Sequence, residues 1–478
     1  MSQAVLIDRA LADDFPARLA AIVGAKYVLT DALDMQAHLI EPRDLWRGRA
    51  RCVVKPGSTV EVAAVLALCD ATGAKIVPQG GNTGLVGGQS PDASGEQVIL
   101  SLARLTKVRS VDVETNTMVV EAGLTLAQAQ QAAADVDRLF PLSLASEGSA
   151  TIGGVLSTNA GGAAVIAYGN ARELVNGLEV VLADGRVLNG LSRLRKDNTG
   201  YDLKHLFMGA EGTLGVITAA VLKLYPRPRS VETAFVGCAS PRDALAFLGL
   251  AQSRTGGDLK SFELIPRIGI EFVLKHEAGS RDCLRTSHPW YVLIELTSQS
   301  ETGLDARMLA LLEAAAEQGL IEDAAVAASL DQRRAFWQLR ERLSWVQKHE
   351  GGSIKHDISV PIAAVPAFLE EAEMAVQRVS PGARVLAFGH LGDGNIHYNV
   401  SQPAGADKAA FLGLWSLMND RVHDVVEAHH GSISAEHGIG VLKRDLLPRY
   451  KDAVALELMR GIKQTFDPKG TLNPGKVL

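Results

Sequence analysis

Residues 389–400, GHLGDGNIHYNV, constrain this chain more than any other stretch of similar length. AFGH and IHYNV show the apolar alternation of strands, and LGDGN between them holds two glycines and an aspartate. The spacing therefore predicts two neighbouring antiparallel strands joined by a reversing turn, with His390 and His397 at facing strand ends. Further on, SAEHGIG at 434–440 sets Glu436 and His437 among glycines that again force a tight turn. Imidazole with carboxylate suits a borderline cation such as Zn²⁺, and a catalytic zinc site takes three protein ligands while keeping one position open. His390, His397 and Glu436 are the expected ligands of Zn²⁺ or another divalent metal. His437 then serves as an acid or base poised near neutral pH. The bland alternative is a set of hydrogen-bonded turn histidines, and the concentration of residue types weighs against it.

With 478 residues, 47% of them hydrophobic, the chain can bury more than one core, so two or three domains are expected. Its net charge of −6 is spread along the sequence, and no basic block interleaved with aromatics occurs, which argues against a nucleic-acid partner. Cys52, Cys69, Cys238 and Cys283 stand apart from one another with no CxxC or iron–sulfur spacing. Free thiols fit a reducing compartment. The N-terminal residues 1–24 read as an amphipathic helix rather than a leader, and no apolar stretch is long enough to span a bilayer, so a cytoplasmic location is expected.

Between Arg51 and Pro228 the sequence is rich in glycine and β-branched residues, and 55–81 reads as strand, helix and strand. Asp184–Gly185 marks a turn between LEVVL and RVL. After the proline-rich stretch 225–230 the pattern shifts to longer helices separated by strands such as WYVLIELTS at 290–298, followed by an amphipathic helix through 303–318. Both halves are α+β.

The first half carries three glycine-rich runs. PQGGNTGLVGGQSP at 78–91 strings Gly80, Gly81, Gly84, Gly87 and Gly88 around Asn82 and Thr83. Such a loop can turn successive backbone N–H groups inward and admit a pyrophosphate without interference from Cβ atoms. The second run, 145–162, contributes Gly148, Ser149, Gly153, Gly154, Asn159, Gly161 and Gly162, and the third is GAEGTLGVIT at 209–218. No GxGxxG hexad opens a βαβ unit here, so the glycines suit a dinucleotide held in a fold other than the NAD-binding one.

These residues carry a family resemblance. The first half resembles the FAD-binding domain of the vanillyl-alcohol oxidase (PCMH-type) superfamily, and the second resembles the FAD-linked oxidase C-terminal α+β domain. GHLGDGNIHYNV, SAEHGIG and the terminal NPGKVL are similar to those of the D-2-hydroxyacid dehydrogenase group, nearest its D-2-hydroxyglutarate and D-lactate members. The resemblance implies a FAD-binding domain over 1–228, a substrate-binding α+β domain over 229–430 and a helical segment, 431–478, returning to the first. It also implies that Pro78, Gly80, Gly81, Asn82, Thr83 and Gly84 cradle the FAD pyrophosphate. Gly148, Ser149, Ile152, Gly153, Gly154, Thr158, Asn159, Gly161 and Gly162 would line the flavin, with Gly212, Ile217 and Asn473 also against the cofactor. No histidine stands in either of the first two loops, so noncovalent FAD is expected.

By the same resemblance Arg340 and Lys355 bind the substrate carboxylate, a pairing that makes chemical sense for a 2-hydroxy acid. Ser344, one helical turn past Arg340, stands where relatives carry threonine. Asn399, on the strand face of His397, orients substrate or a ligand. The implied reaction takes a proton from the hydroxyl to His437 and a hydride from the carbon to FAD. D-2-hydroxyglutarate is the expected substrate, with D-lactate or D-malate as alternatives. Electrons then pass to an external acceptor, an electron-transfer flavoprotein or a quinone; a homodimer is the assembly considered. A zinc hydrolase would leave the glycine loops unexplained, and a flavin carrier without activity would leave the histidine–glutamate constellation unexplained.

Overall fold

The computed structural model describes residues 14–478 and divides into two compact units. The first comprises residues 14–160, 170–226 and 437–478; the second comprises 161–169 and 227–436. These bounds differ from those expected from sequence in two places. The short segment 161–169, assigned by sequence to the FAD-binding domain, packs with the second unit, because the helix Val165–Tyr168 lies against one of that unit's strands and Gly392 closes on Ile166. Residues 431–436 also belong to the second unit, since Ser432 pairs with Ser359. The first 13 residues of the N-terminal helix expected from sequence lie outside the described residues; from Phe15 to Val23 the chain is helical.

Within the first unit, β1 (Val28–Leu29), β2 (Cys52–Val54), β3 (Ile76–Gln79) and β4 (Val98–Ser101) form a sheet in the order β1-β2-β4-β3, with β4 parallel to both β2 and β3. The strand–helix–strand expected at its centre is present. Its helix, Thr59–Thr72, starts where the Ser58 hydroxyl accepts from the Glu61 N–H and ends at Gly73, whose φ of +74° is open to glycine at little cost. A second, antiparallel sheet runs β5-β6-β10-β8-β9, built from β5 (Val108–Asp112), β6 (Thr117–Glu121), β8 (Val175–Val181), β9 (Val187–Gly190) and β10 (Val216–Lys223). The Asp184–Gly185 turn joins β8 to β9, as the dipeptide predicts. A two-stranded ribbon of β7 (Arg138–Leu139) and β11 (Tyr225–Pro226) completes the unit's strands.

The second unit is built on one antiparallel sheet of seven strands, in the order β15-β12-β14-β13-β17-β18-β16. The strands are β12 (Ser230–Cys238), β13 (Leu259–Pro266), β14 (Trp290–Ser298), β15 (Asp323–Val326), β16 (Ser353–Ser359), β17 (Arg384–His390) and β18 (Asn395–Ser401). Alternation along each strand separates two faces. One carries Phe262 and Tyr398, covered by Phe247 of the helix Pro241–Arg254 and Phe368 of the helix Val365–Val379, at ring separations of 5.3 and 5.5 Å. The opposite face carries Ile265, Leu293, Leu386 and Phe388 under Phe336, Leu339 and Leu343 of the helix Leu330–Val346. That helix begins at Ser329, whose hydroxyl accepts from the Gln332 N–H, and its buried residues recur at helical spacing. The second face is where the polar residues of interest collect.

Candidate active site

The β17–β18 hairpin forms as the sequence predicts. Its turn, 391–394, is closed by the Asp393 and Gly394 N–H groups donating to the His390 carbonyl and by the Asp393 carboxylate accepting from the Asn395 N–H. Gly394 sits at φ +80° with the Val360 carbonyl 2.2 Å from where a Cβ would stand, so the turn admits no side chain there. The register puts His390 opposite Asn395 and His397 opposite Phe388. The two histidines are thus a diagonal pair rather than directly facing, because the four-residue turn sets the pairing two residues off. Their rings are 5.6 Å apart.

Neighbouring strands bring two carboxylates that sequence reasoning missed. β16 sets Asp357 opposite His397, and the donor atoms of Asp357, His397, Glu436 and the following His437 lie within 4.8 Å of one another, a group able to hold a metal ion that does not include His390. The Asp357 carboxylate accepts from the Glu436 N–H at 2.9 Å and from the Asn395 amide at 3.0 Å, which fixes the loop that carries Glu436. β13 sets Glu263 opposite His390, and Glu263 takes the His390 Nδ1–H at 2.6 Å and the Arg340 Nε–H at 2.7 Å. His390 is therefore beside the Asp357–His397–Glu436 group with its Nδ1 already committed to a carboxylate.

The electrostatics follow from this arrangement. Burial alone would raise the Glu263 carboxyl, but the charges of His390 and Arg340 outweigh it and hold the group down to about 2. Burial would likewise lower His390, and the Glu263 carboxylate overrides it, lifting the imidazole to about 9. Glu436 is pushed up to about 7 by burial and by the Asp357 charge. A divalent cation would relieve that accumulation of carboxylates, and the nitrogen and oxygen donors suit a borderline ion.

Arg340 is buried on the helix Leu330–Val346, its guanidinium 4.7 Å from the Phe388 ring centre. Ser344 is exposed one turn later, and its carbonyl accepts from the Lys355 ammonium at 3.2 Å. Lys355 lies opposite Asn399, which is buried on the same strand face as His397. Lys355, Asn399, His390 and His397 thus share one face of the sheet, Arg340 reaches that face through Glu263 and Phe388, Glu436 is tied to it through Asp357, and Ser344 offers it only its carbonyl. His437 follows Glu436 directly, and the chain passes there into the first unit. Farther along the same helix Arg333 and Trp337 donate to Glu295, a fully buried carboxylate that Lys260 also contacts.

In the first unit the glycine loop follows β3. An added Cβ would lie 1.8 Å from the Ser149 carbonyl at Gly81 and 2.4 Å from the Thr151 hydroxyl at Gly80, so the first and second runs are in close backbone contact. Asn82 and Asn159 hold φ near +54° and +52°, a strained conformation that clusters at binding loops. Oδ1 of Asn82, Oγ1 of Thr151 and Oδ1 of Asn473 are buried without a hydrogen-bond partner in the structure. The Thr151 hydroxyl can donate to a phosphate oxygen, whereas the Asn82 and Asn473 amide oxygens only accept and fit a hydroxyl or N–H of a polar ligand, groups that FAD carries on its ribityl chain and rings. Pro78 lies in β3, Thr83, Gly84 and Ser149 belong to these loops, and Ile152, Gly153 and Gly154 start the short helix Ile152–Ser157, with Thr158 at its C-cap. Gly153 packs on Ala122 and Gly212 on Pro78, whereas Gly148 faces open space. Ile217 is buried in β10, and the Asn473 amide donates to the Gly88 and Glu211 carbonyls. Gly161 and Gly162, in contrast, lie in the second unit.

Glu211 is a further residue the sequence did not flag. Its buried carboxylate accepts from the Ile439 and Gly440 N–H groups at 2.7 and 2.9 Å and so anchors the GIG end of SAEHGIG. Its signal was a lone acid in the glycine-rich run GAEGTLG.

Residues 227–477 match the FAD-linked oxidase C-terminal domain, and residues 50–190 match a FAD-binding domain. Among solved structures, p-cresol methylhydroxylase with bound substrate aligns over 97% of this chain and 96% of its own, with a TM-score of 0.76 at 17% identity, which establishes the fold. The D-2-hydroxyglutarate dehydrogenase of Xanthomonas citri pv. viticola is 36% identical over 95% of each chain. The mitochondrial D-2-hydroxyglutarate dehydrogenase of Arabidopsis thaliana is 37% identical over 96% of this chain and 80% of its own. The chain belongs to the FAD-linked oxidase family, in the branch that contains these D-2-hydroxyacid dehydrogenases. It is a FAD-dependent dehydrogenase acting on a CH–OH group. No helix among the described residues is long and apolar enough to cross a membrane.

Proposed function

We propose that the chain oxidises D-2-hydroxyglutarate to 2-oxoglutarate with FAD in the first unit and a divalent cation, Zn²⁺ by its donor set, at His390, His397 and Glu436. The observation that carries the reading is that His390, His397 and Lys355 share one sheet face, to which Glu263 ties Arg340 and Asp357 ties the loop of Glu436. The names of the relatives favour the five-carbon diacid. When bound, FAD supplies the hydride acceptor and the cation supplies Lewis acidity toward the substrate hydroxyl. Gly80, Gly81, Asn82, Thr151 and Asn473 hold the cofactor's polar groups. Arg340 and Lys355 fix the substrate carboxylate, the guanidinium being kept in place by Glu263 and Phe388. His437 accepts the hydroxyl proton, and Asn399 orients the substrate. Reducing equivalents leave to an electron-transfer flavoprotein or a quinone. Four free cysteines among the described residues support a reducing compartment such as the cytoplasm.

The test is the anaerobic visible spectrum of the purified protein with D- and L-2-hydroxy acids added singly. Bleaching of the flavin band by D-2-hydroxyglutarate, and not by its L-isomer or D-lactate, is the expected result. Bleaching by D-lactate alone would replace the substrate, and a flavin that no 2-hydroxy acid reduces would overturn the reading.

A further inference from the structure

We propose that Glu263 is a positioning residue that governs two functions at once, holding His390 in the tautomer that ligates metal and holding Arg340 in the orientation that binds the substrate carboxylate. The inference deepens the function proposed above and rests on its assignment of His390 and Arg340.

Glu263 is 1% exposed in β13, a strand otherwise occupied by apolar residues at its centre, and a carboxylate so placed needs full pairing. Its two oxygens are divided between two partners: Oε1 faces His390 Nδ1 at 2.6 Å and Oε2 faces Arg340 Nε at 2.7 Å. A carboxylate only accepts, so when His390 gives up one proton to bind a metal the proton it keeps is held at Nδ1, and the Nε2 lone pair is left for the metal. Arg340 donates through Nε alone, which leaves the two terminal nitrogens of the guanidinium for a substrate carboxylate. No single neutral side chain can reproduce both contacts. A glutamine in the same place has one accepting atom. If it serves Arg340, its amide donates to His390 Nδ1, moves the ring proton to Nε2 and removes the ligating lone pair. Turned the other way, it points N–H groups at the Arg340 Nε–H.

Glu295 provides the control, because it is also a fully buried carboxylate in the same sheet, satisfied by Thr233, Lys260, Arg333 and Trp337. None of those partners is a proposed metal ligand. The experiment compares the full-length holoenzyme with Glu263→Gln, Glu263→Asp and Glu295→Gln, measuring zinc affinity by chelator competition, KM and kcat separately, the flavin spectrum and thermal unfolding. Glu263→Gln should bind zinc about 10–100-fold more weakly and raise KM, with the flavin spectrum retained. Glu263→Asp keeps two accepting oxygens and should recover part of both losses; should Glu263→Gln not fold, the aspartate variant is read for the same two losses. Glu295→Gln should lower the melting temperature without changing zinc affinity. Wild-type enzyme that binds no divalent cation would overturn the metal assignment itself. Wild type that binds zinc while the Glu263 variants bind it equally well, or weaken it no more than Glu295→Gln does, would overturn this inference alone.

Discussion

At the scale of single residues, His390 and Arg340 separate two kinds of loss. His390→Ala should abolish metal retention and turnover while the protein stays yellow, read by elemental analysis beside the visible spectrum; a fully active variant would remove the metal from the mechanism. Arg340→Ala should raise KM by about 10–100-fold, the worth of a charge-assisted hydrogen bond, with retained FAD and metal. Glu436 predicts a pH dependence. Burial and the neighbouring Asp357 raise its carboxyl to about 7, so in metal-free protein it holds a proton below that pH. A metal must displace this proton and one from His390, whose imidazole is lifted to about 9, so zinc affinity should climb as pH rises through 7 and on towards 9, with proton release visible in calorimetry using buffers of different ionisation enthalpy. The candidate residues legible in the sequence were those with a local signature: His390 and His397 flank a glycine-rich turn at the ends of two strands, and Glu436 stands in a glycine-bounded loop. Glu263 and Asp357 lie inside strands, SFELIP and KHDIS, where nothing nearby in sequence declares a partner. For Glu263 the hint was a charge in an otherwise apolar buried strand, which demands a counterpart without saying which; Asp357, among Lys355, His356 and Ser359, had not even that.

At the scale of elements, the strands around 290–298 and 384–401, the helix near 303–318 and the Asp184–Gly185 turn were readable from alternation, helical spacing and turn chemistry. The order of the strands was not. Nothing local indicates that β13 lies beside β17, yet that pairing brings Glu263 to His390 across 127 residues of sequence. The contact also makes the pairing sensitive to acid. Glu263 is held at about 2 in the folded chain against an ordinary 4.5, so its contribution to stability is complete above 4.5 and is lost as pH falls from there through about 2. Hydrogen exchange of metal-free protein over that acid range should show the amides of β13 and β17 losing protection before those of β12 and β14. Uniform loss across the sheet would show that the ion pair does not hold this pairing.

At the scale of the whole molecule, two units carry two separate chemistries, glycine loops with orphaned oxygens in one and an imidazole–carboxylate face in the other. Added FAD should protect amides in 78–91, 149–159 and around Asn473, and added zinc should protect those of 353–359 and 390–401, each by mass action on its own site. Protection of the same peptides by both additions would contradict that division. The first unit gives way to the second after Pro226, in the proline-rich stretch where the sequence suggests a break in regular structure; the excursion at 161–169 has no such local signature, because a nine-residue helix-bearing segment joins the second unit by contacts with residues far off in sequence. The seven-stranded sheet has a further consequence. β15-β12-β14-β13 and β17-β18-β16 are joined by the short pairing of Glu263 with His390 and Leu264 with Gly389, so the sheet is two ribbons meeting at a seam. Each ribbon is closed by nearer neighbours in sequence, whereas the seam demands the closure of a long loop, the slow kind of step in folding. On refolding from denaturant, strand structure should return first and the competence to bind zinc last, so the appearance of the metal site marks the moment at which the second unit has finished folding.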